Sequence, residues 1–195
     1  MKSLLVTGGC GFIGSHTSLK LLESGYELII FDSNVNSSDL VLKRIIEIGQ
    51  KQKKSYQKKI TFIKGDLRNY KLLENIFKDS ISRKKCIEGV LHFAGLKAVE
   101  ESFKYPLDYW ENNVYGSINL LRVMSLFGCK TIVFSSSATL YGKTHQKLIN
   151  ENSPLQPFNT YGETKLAVEK ILHDLYQSSK FSWKIINLRY FNPVG

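Results

Sequence analysis

The sequence predicts an α/β fold, a doubly wound parallel sheet of about six strands with helices on both faces. Three observations predict it. Short apolar runs alternate with longer amphipathic stretches along all 195 residues. Several runs are continuous in β-branched or aromatic residues, as strands buried on both faces require. A glycine-rich turn, Gly8-Gly9-Cys10-Gly11-Phe12-Ile13-Gly14, joins the first run to the first amphipathic stretch.

The strands are expected in order. Ser3–Thr7 ends at the glycine turn, and Glu27–Phe31 ends at Asp32. Ile60–Lys64 closes on Gly65-Asp66-Leu67, and Val90–Phe93 closes on Ala94-Gly95. Thr131–Ser135 runs into a serine string, and Lys184–Leu188 runs into a loop. Helical periodicity fills 12–24, 39–49, 70–80, 105–127 and 158–178. Strict β/α alternation implies right-handed crossovers and a Rossmann-like sheet. No repeat, low-complexity tract or linker divides residues 1–195, so one domain is expected.

Composition narrows the class. With 43% hydrophobic and 23% charged residues the chain reads as soluble and globular. No apolar run approaches the ~20 residues of a membrane helix, and polar residues from Thr7 onward interrupt any secretory core, so the expected compartment is cytoplasmic with no membrane partner. Cys10, Cys86 and Cys129 lack metal-ligand spacing and read as reduced thiols. His16, His92, His145 and His173 read as packing or surface residues, so no metal is expected. The net charge of +10 lies wholly within residues 43–85, which hold 14 Lys/Arg and 4 Asp/Glu. Its densest part, Lys51–Lys59, carries one aromatic and no RNA-binding signature. It reads as a solvated loop on an enzyme of acidic ligands, and no nucleic-acid partner is expected.

Gly8, Gly11 and Gly14 form a GxxGxxG turn where a phosphate-binding loop belongs. Gly8 permits the tight turn, Gly11 lets backbone approach a pyrophosphate, and Gly14 allows close helix packing. Free N–H groups at the helix start then face the phosphates. Alone, the pattern could be an ordinary turn. Asp32, 18 residues after Gly14, stands where a carboxylate accepts from a ribose diol and repels a 2′-phosphate, which favours NAD over NADP. Asp66 can meet an adenine edge, and Phe93-Ala94-Gly95 is small enough for backbone to run beside the cofactor.

Tyr161-Gly162-Glu163-Thr164-Lys165 spaces a phenol and an amine on one helix face. A tyrosine of ordinary pKa ~10 needs a drop of about three units, or ~4 kcal/mol, to act as a base near neutrality. One ammonium at ~6 Å with an effective dielectric of 20 supplies about 2.8 kcal/mol. Lys165 thus provides most of the shift and an oxidised nicotinamide the rest. Ser137, ending its strand, can hold a substrate hydroxyl and relay its proton. The plainer alternative is a helix-end aromatic beside a solvated lysine.

These strings, with His92–Val99, Asn112-Asn113-Val114, Ser135–Gly142 and Leu188–Gly195, closely resemble the extended short-chain dehydrogenase/reductase family and its UDP-hexose 4-epimerase branch. The resemblance spans nearly the whole chain. It implies that Tyr161 takes the sugar 4-hydroxyl proton through or beside Ser137, that C4 gives hydride to bound NAD, and that the 4-keto sugar receives it on its other face. It also implies that Phe12, Ile13, Asp32, Asn36, Ser37, Asp66, Leu67, Phe93, Ala94, Gly95, Lys97, Asn112, Lys165 and Phe191 contact NAD. Asn192 would touch the UDP-sugar and Thr139 would lie near its hydroxyls. Related 4,6-dehydratases carry an Asp-Glu pair where this chain has Ala138 and Thr139, so water elimination is not expected. The resemblance further implies a following substrate domain, absent or truncated here, and a homodimer built on helices 105–127 and 158–178. Two alternatives stay open, an epimerase of another UDP-hexose and a catalytically silent NAD-binding protein.

Overall fold

The computed structural model describes residues 3–143, 148–180 and 182–194. Six strands, β1 (Ser3–Thr7), β2 (Glu27–Asp32), β3 (Ile60–Lys64), β4 (Ile87–His92), β5 (Thr131–Ser137) and β6 (Lys184–Tyr190), pair in parallel in the order β3-β2-β1-β4-β5-β6. This is the doubly wound arrangement the alternation predicts. The strand order reverses between β1 and β4, and ligands bind beyond the carboxyl ends of strands at such a switch point.

The helices are α1 (Phe12–Glu23), α2 (Leu40–Lys51), α3 (Tyr70–Ser82), α4 (Val99–Lys104), α5 (Pro106–Tyr109), α6 (Gly116–Leu126) and α7 (Thr160–Ser178). On one sheet face Leu5, Val90, Ile132 and Phe134 pack with Ile76 and Phe77 of α3, Leu120 and Met124 of α6, and Val168 and Leu172 of α7. On the other, Val6, Leu28 and Ile30 pack with Leu22 of α1 and with Leu42 and Ile45 of α2. Each such side chain contributes about 1.5–3 kcal/mol on leaving water, which fixes the strand ends and hence the loops beyond them.

Three expectations need correction. First, β4 is displaced to Ile87–His92, leaving Phe93 beyond it, while β5 and β6 run two residues longer because they pair as far as Ser137 with Tyr190. Second, the helix expected over 105–127 is broken. Tyr105 leaves helical geometry before Pro106, whose ring disfavours a helical predecessor. A turn of π-helix, Trp110–Tyr115, then bulges before α6, and α4 lies upstream of the expected start. Third, the lysine-rich loop is not wholly solvated: Tyr56 is 2% exposed and joins the α1/α2 core within a 3₁₀ turn over Tyr56–Lys59. His145 lies outside the described residues.

Candidate active site

A cleft of about 440 Å³ opens along the carboxyl edge of the sheet. The turn after β1 forms its floor. Gly8 has φ +70°, and a Cβ there would stand 2.5 Å from the Ala94 nitrogen. A Cβ on Gly14 would meet the Gly8 carbonyl at 2.2 Å, so the first helical turn closes tightly over the loop. The first bond inside α1 runs from the Ser15 N–H to the Gly11 carbonyl at 2.9 Å. The N–H groups of Phe12, Ile13 and Gly14 precede it, at the positive end of the helix, where an anion is favoured. Gly8, Gly11, Phe12, Ile13 and Gly14 all line the cleft.

Asp32 ends β2 with 7% exposure. Its Oδ2 accepts from the Cys10 N–H (2.9 Å), and its Oδ1 accepts from the Asn34 N–H (2.9 Å) and the Ser37 hydroxyl (2.8 Å). These donors fix the carboxylate at the cleft wall beside Asn36 and Ser37. Asp66 and Leu67 follow β3. Arg68, which the sequence did not single out, grips Asp66 through Nε and Nη2, the shortest contact being 2.7 Å. That guanidinium holds the Asp66 carboxyl below the usual carboxylate range. Phe93, Ala94, Gly95 and Lys97 follow β4, and Asn112 reaches in from the π turn.

Ser137, Thr139, Tyr161 and Lys165 form the wall nearest β5, with Phe191 and Asn192 beyond β6. Ser137 Oγ accepts from the Thr139 N–H (3.2 Å) and hydroxyl (3.0 Å). Asn159 caps α7 by accepting from the Gly162 N–H at 2.7 Å, which aims the first turn, with Tyr161, at this wall. Lys165 Nζ lies 5.8 Å from the Tyr161 ring centre and donates to the Ser135 carbonyl at 2.8 Å. The anticipated neighbourhood of phenol and ammonium is present. Burial pushes the Tyr161 phenol up from its ordinary value, opposed by a hydrogen bond with Ser137. Burial also pushes Lys165 down to about 8. In the protein alone, desolvation of the phenol outweighs that hydrogen bond.

Behind this wall lie two buried polar groups, His92, read from the sequence as a packing or surface residue, and Asn113. His92 is buried between the Thr7 hydroxyl (2.7 Å) and the Ser117 hydroxyl (2.8 Å). Burial, aided by the Lys165 charge, holds it down to about 3 and therefore neutral. Asn113 accepts from the Leu96 N–H (2.8 Å) and donates to the Leu96 carbonyl (3.0 Å) and Thr164 hydroxyl (3.1 Å). The Asn112-Asn113 string drew notice for Asn112, but Asn113 is the buried member that joins the β4 loop to α7. Only the π bulge turns it inward, and no periodicity signals a bulge.

A family model described as GDP-mannose 4,6 dehydratase matches residues 5–195. Among curated relatives, UDP-glucose 4-epimerase 2 of Arabidopsis thaliana is 47% identical over 194 residues, covering 100% of this chain and 53% of that protein. UDP-glucose 4-epimerase of Bacillus subtilis is 45% identical over 193 residues, covering 99% and 53%. The crystal structure of UDP-glucose 4-epimerase from Bifidobacterium longum, in complex with NAD⁺ and UDP, superposes with a TM-score of 0.88 at 42% identity, covering 100% of this chain and 54% of that one. The chain spans about half the length of the curated relatives it matches. With a family model matched over nearly its whole length, the chain belongs to the GDP-mannose 4,6 dehydratase family.

Proposed function

We propose that this chain is the NAD-binding domain, residues 1–195, of a UDP-hexose 4-epimerase whose remaining half supplies the substrate domain. The carrying observation is that Ser137, Tyr161 and Lys165 share one cleft with Asp32 and the glycine turn. The cleft fits the cofactor: α1 presents N–H groups to a pyrophosphate, and the Gly8 and Gly14 backbones leave no room for side chains. Asp32 would accept from the adenine-ribose diol and disfavour a 2′-phosphate.

NAD, when bound, supplies reversible hydride transfer at the sugar C4, and the substrate passes through a 4-keto form. Tyr161 removes the 4-hydroxyl proton and returns it, with Ser137 holding that hydroxyl. Lys165, anchored on Ser135, stabilises the phenolate. Thr139 lies beside Ser137 for neighbouring sugar hydroxyls, and Asn192 faces the nucleotide sugar. Ala138 and Thr139 carry no carboxylate for water elimination, which favours epimerisation over the dehydration in the family's description. The relatives described as UDP-glucose 4-epimerases favour UDP-glucose and UDP-galactose as the hexoses.

In the full-length protein, Tyr161→Phe should abolish interconversion of UDP-glucose and UDP-galactose while NAD stays bound; unchanged turnover would defeat the assignment. Leu107, Trp110 and Tyr115, respectively 75%, 40% and 48% exposed, supply apolar surface that supports a homodimer built on the segments 105–127 and 158–178. Sedimentation of the full-length protein as a monomer would reject it. A second reading, cofactor binding without turnover by this chain alone, is favoured by its covering only about half of its relatives. Turnover by the isolated chain would remove that reading.

A further inference from the structure

Glu169 stands one turn beyond Lys165 on α7, with a side chain 7% exposed. Its Oε1 accepts from the Ser136 hydroxyl (2.5 Å) and Arg189 Nε (3.0 Å), and its Oε2 accepts from Arg189 Nη2 (2.7 Å). Arg189 directs Nη1 to the Tyr141 hydroxyl and the Glu151 carbonyl, both at 3.1 Å. It also lies over the Tyr141 ring at 5.3 Å. A buried ion pair is often no more stabilising than apolar residues of equal volume. Stability is therefore a weak reason for this one.

Its location is more informative. Ser136 lies between Ser135, whose carbonyl holds Lys165, and Ser137, which faces the Tyr161 phenol. Arg189 is also the register partner of Ser136 across the β5–β6 ladder. Helix α7 thus grips the end of β5 at two adjacent residues, Lys165 on Ser135 and Glu169 on Ser136. The same helix carries Tyr161 one turn earlier. We propose that the Glu169–Arg189 pair is a positioning unit of the reaction centre, which acts through Ser136 to fix the separation of the Ser137 hydroxyl from the Tyr161 phenol. The inference rests on the reading of Tyr161 as the base.

Two variants test it in the full-length protein. Ser136→Ala removes only the serine arm, and Glu169→Gln keeps the shape while removing the charge. Both should lower kcat about 10- to 100-fold, as expected for a misplacement near 1 Å, with KM for UDP-glucose held within about twofold. NAD content should not change. Arg189→Lys keeps a cation without the planar fork and should fall between these variants and wild type. The distinguishing readout is the Tyr161 ionisation midpoint, followed by phenolate absorbance with the Tyr161→Phe signal subtracted. It should move to higher pH in both variants, because the Ser137 hydrogen bond favours the phenolate. Wild-type kcat in Ser136→Ala overturns the proposal, and so does lost activity with an unmoved midpoint. Full activity in Tyr161→Phe overturns the base reading instead, a separate result.

Discussion

Burial governs Tyr161 and Lys165 in opposite senses. It raises the phenol of Tyr161 and lowers the ammonium of Lys165 to about 8, so each charged form is disfavoured. At pH 7 Lys165 remains mostly a cation, since that value still lies above the ambient pH. Tyr161 remains a neutral phenol, a poor base. A positive nicotinamide ring would add a second attraction for the phenolate in the same low-dielectric wall. NAD⁺ should therefore lower the Tyr161 pKa, and reduced cofactor should not. The expected result is a phenolate absorbance midpoint at lower pH with oxidised cofactor than without, and equal midpoints would count against it. With this sign, turnover in the proposed reaction should rise with pH as the phenol ionises in the loaded protein. The Tyr161/Lys165 spacing was legible because four residues nearly complete a helical turn. The direction of the Lys165 shift was not, because its desolvation depends on Phe134 and Ser135 closing around it, and those neighbours come from strand β5, far away in the chain.

At the scale of elements, five connections lead from a helix back to the next strand, and each places one residue in the left-handed region. These residues are Gly25 (φ 95°), Lys53 (φ 56°), Lys84 (φ 57°), Gly128 (φ 71°) and Lys180 (φ 51°). Each donates its N–H to a carbonyl three residues earlier, closing the helix end, as Lys84 does to Ile81 at 2.8 Å. Glycine takes this conformation without strain, whereas a side chain costs about 1–2 kcal/mol. Glycine also gives the unfolded chain more freedom, which returns about 0.4–1 kcal/mol of that difference. Lys84→Gly should then stabilise the fold by roughly 0.5–1 kcal/mol, read as a higher denaturation midpoint with an unchanged slope. A lower midpoint would mean that the lysine side chain contributes more than its backbone conformation costs. The strands and most helices were legible because their periods survive in the sequence. The break at Tyr105 and the π bulge were less so: Pro106 marks the first, whereas the second goes with Gly116, where a Cβ would stand 3.0 Å from Leu67, and with Asn113 turning to Leu96.

For the whole molecule, a parallel sheet sorts its loops by end, and this chain sorts its charge with them. All sequence-expected site residues gather at the carboxyl edge, although they span positions 8 to 192. The opposite edge receives the connections 24–26, 52–59, 83–86 and 127–130 and, among the described residues, 179–180 and 182–183. These hold Lys53, Lys54, Lys58, Lys59, Arg83, Lys84, Lys85, Lys130 and Lys180 and no acidic residue. Nine of the 27 Lys/Arg residues thus form a basic pole facing away from the cleft, seven of them from the basic stretch read in the sequence. Two effects compete there. Cations near helix carboxyl ends gain about 0.3–1 kcal/mol each from the dipole. Against this, two charges three strands apart, ~14 Å, repel by about 0.3 kcal/mol in water, and each cation meets several others, some far closer. Lys85 has a partner in Glu27 at 2.6 Å, and that pair offsets a small part. Repulsion wins at low salt, where screening is weakest. Raising sodium chloride from about 20 to 300 mM, across which the Debye length falls from beyond 20 Å to below 8 Å, should raise the melting temperature by about 2–4 °C. The combined Lys54→Gln, Lys58→Gln and Lys85→Gln variant should start higher and respond less. A melting temperature that falls with salt would mean that the helix dipoles and the Glu27 pair outweigh the crowding of lysines.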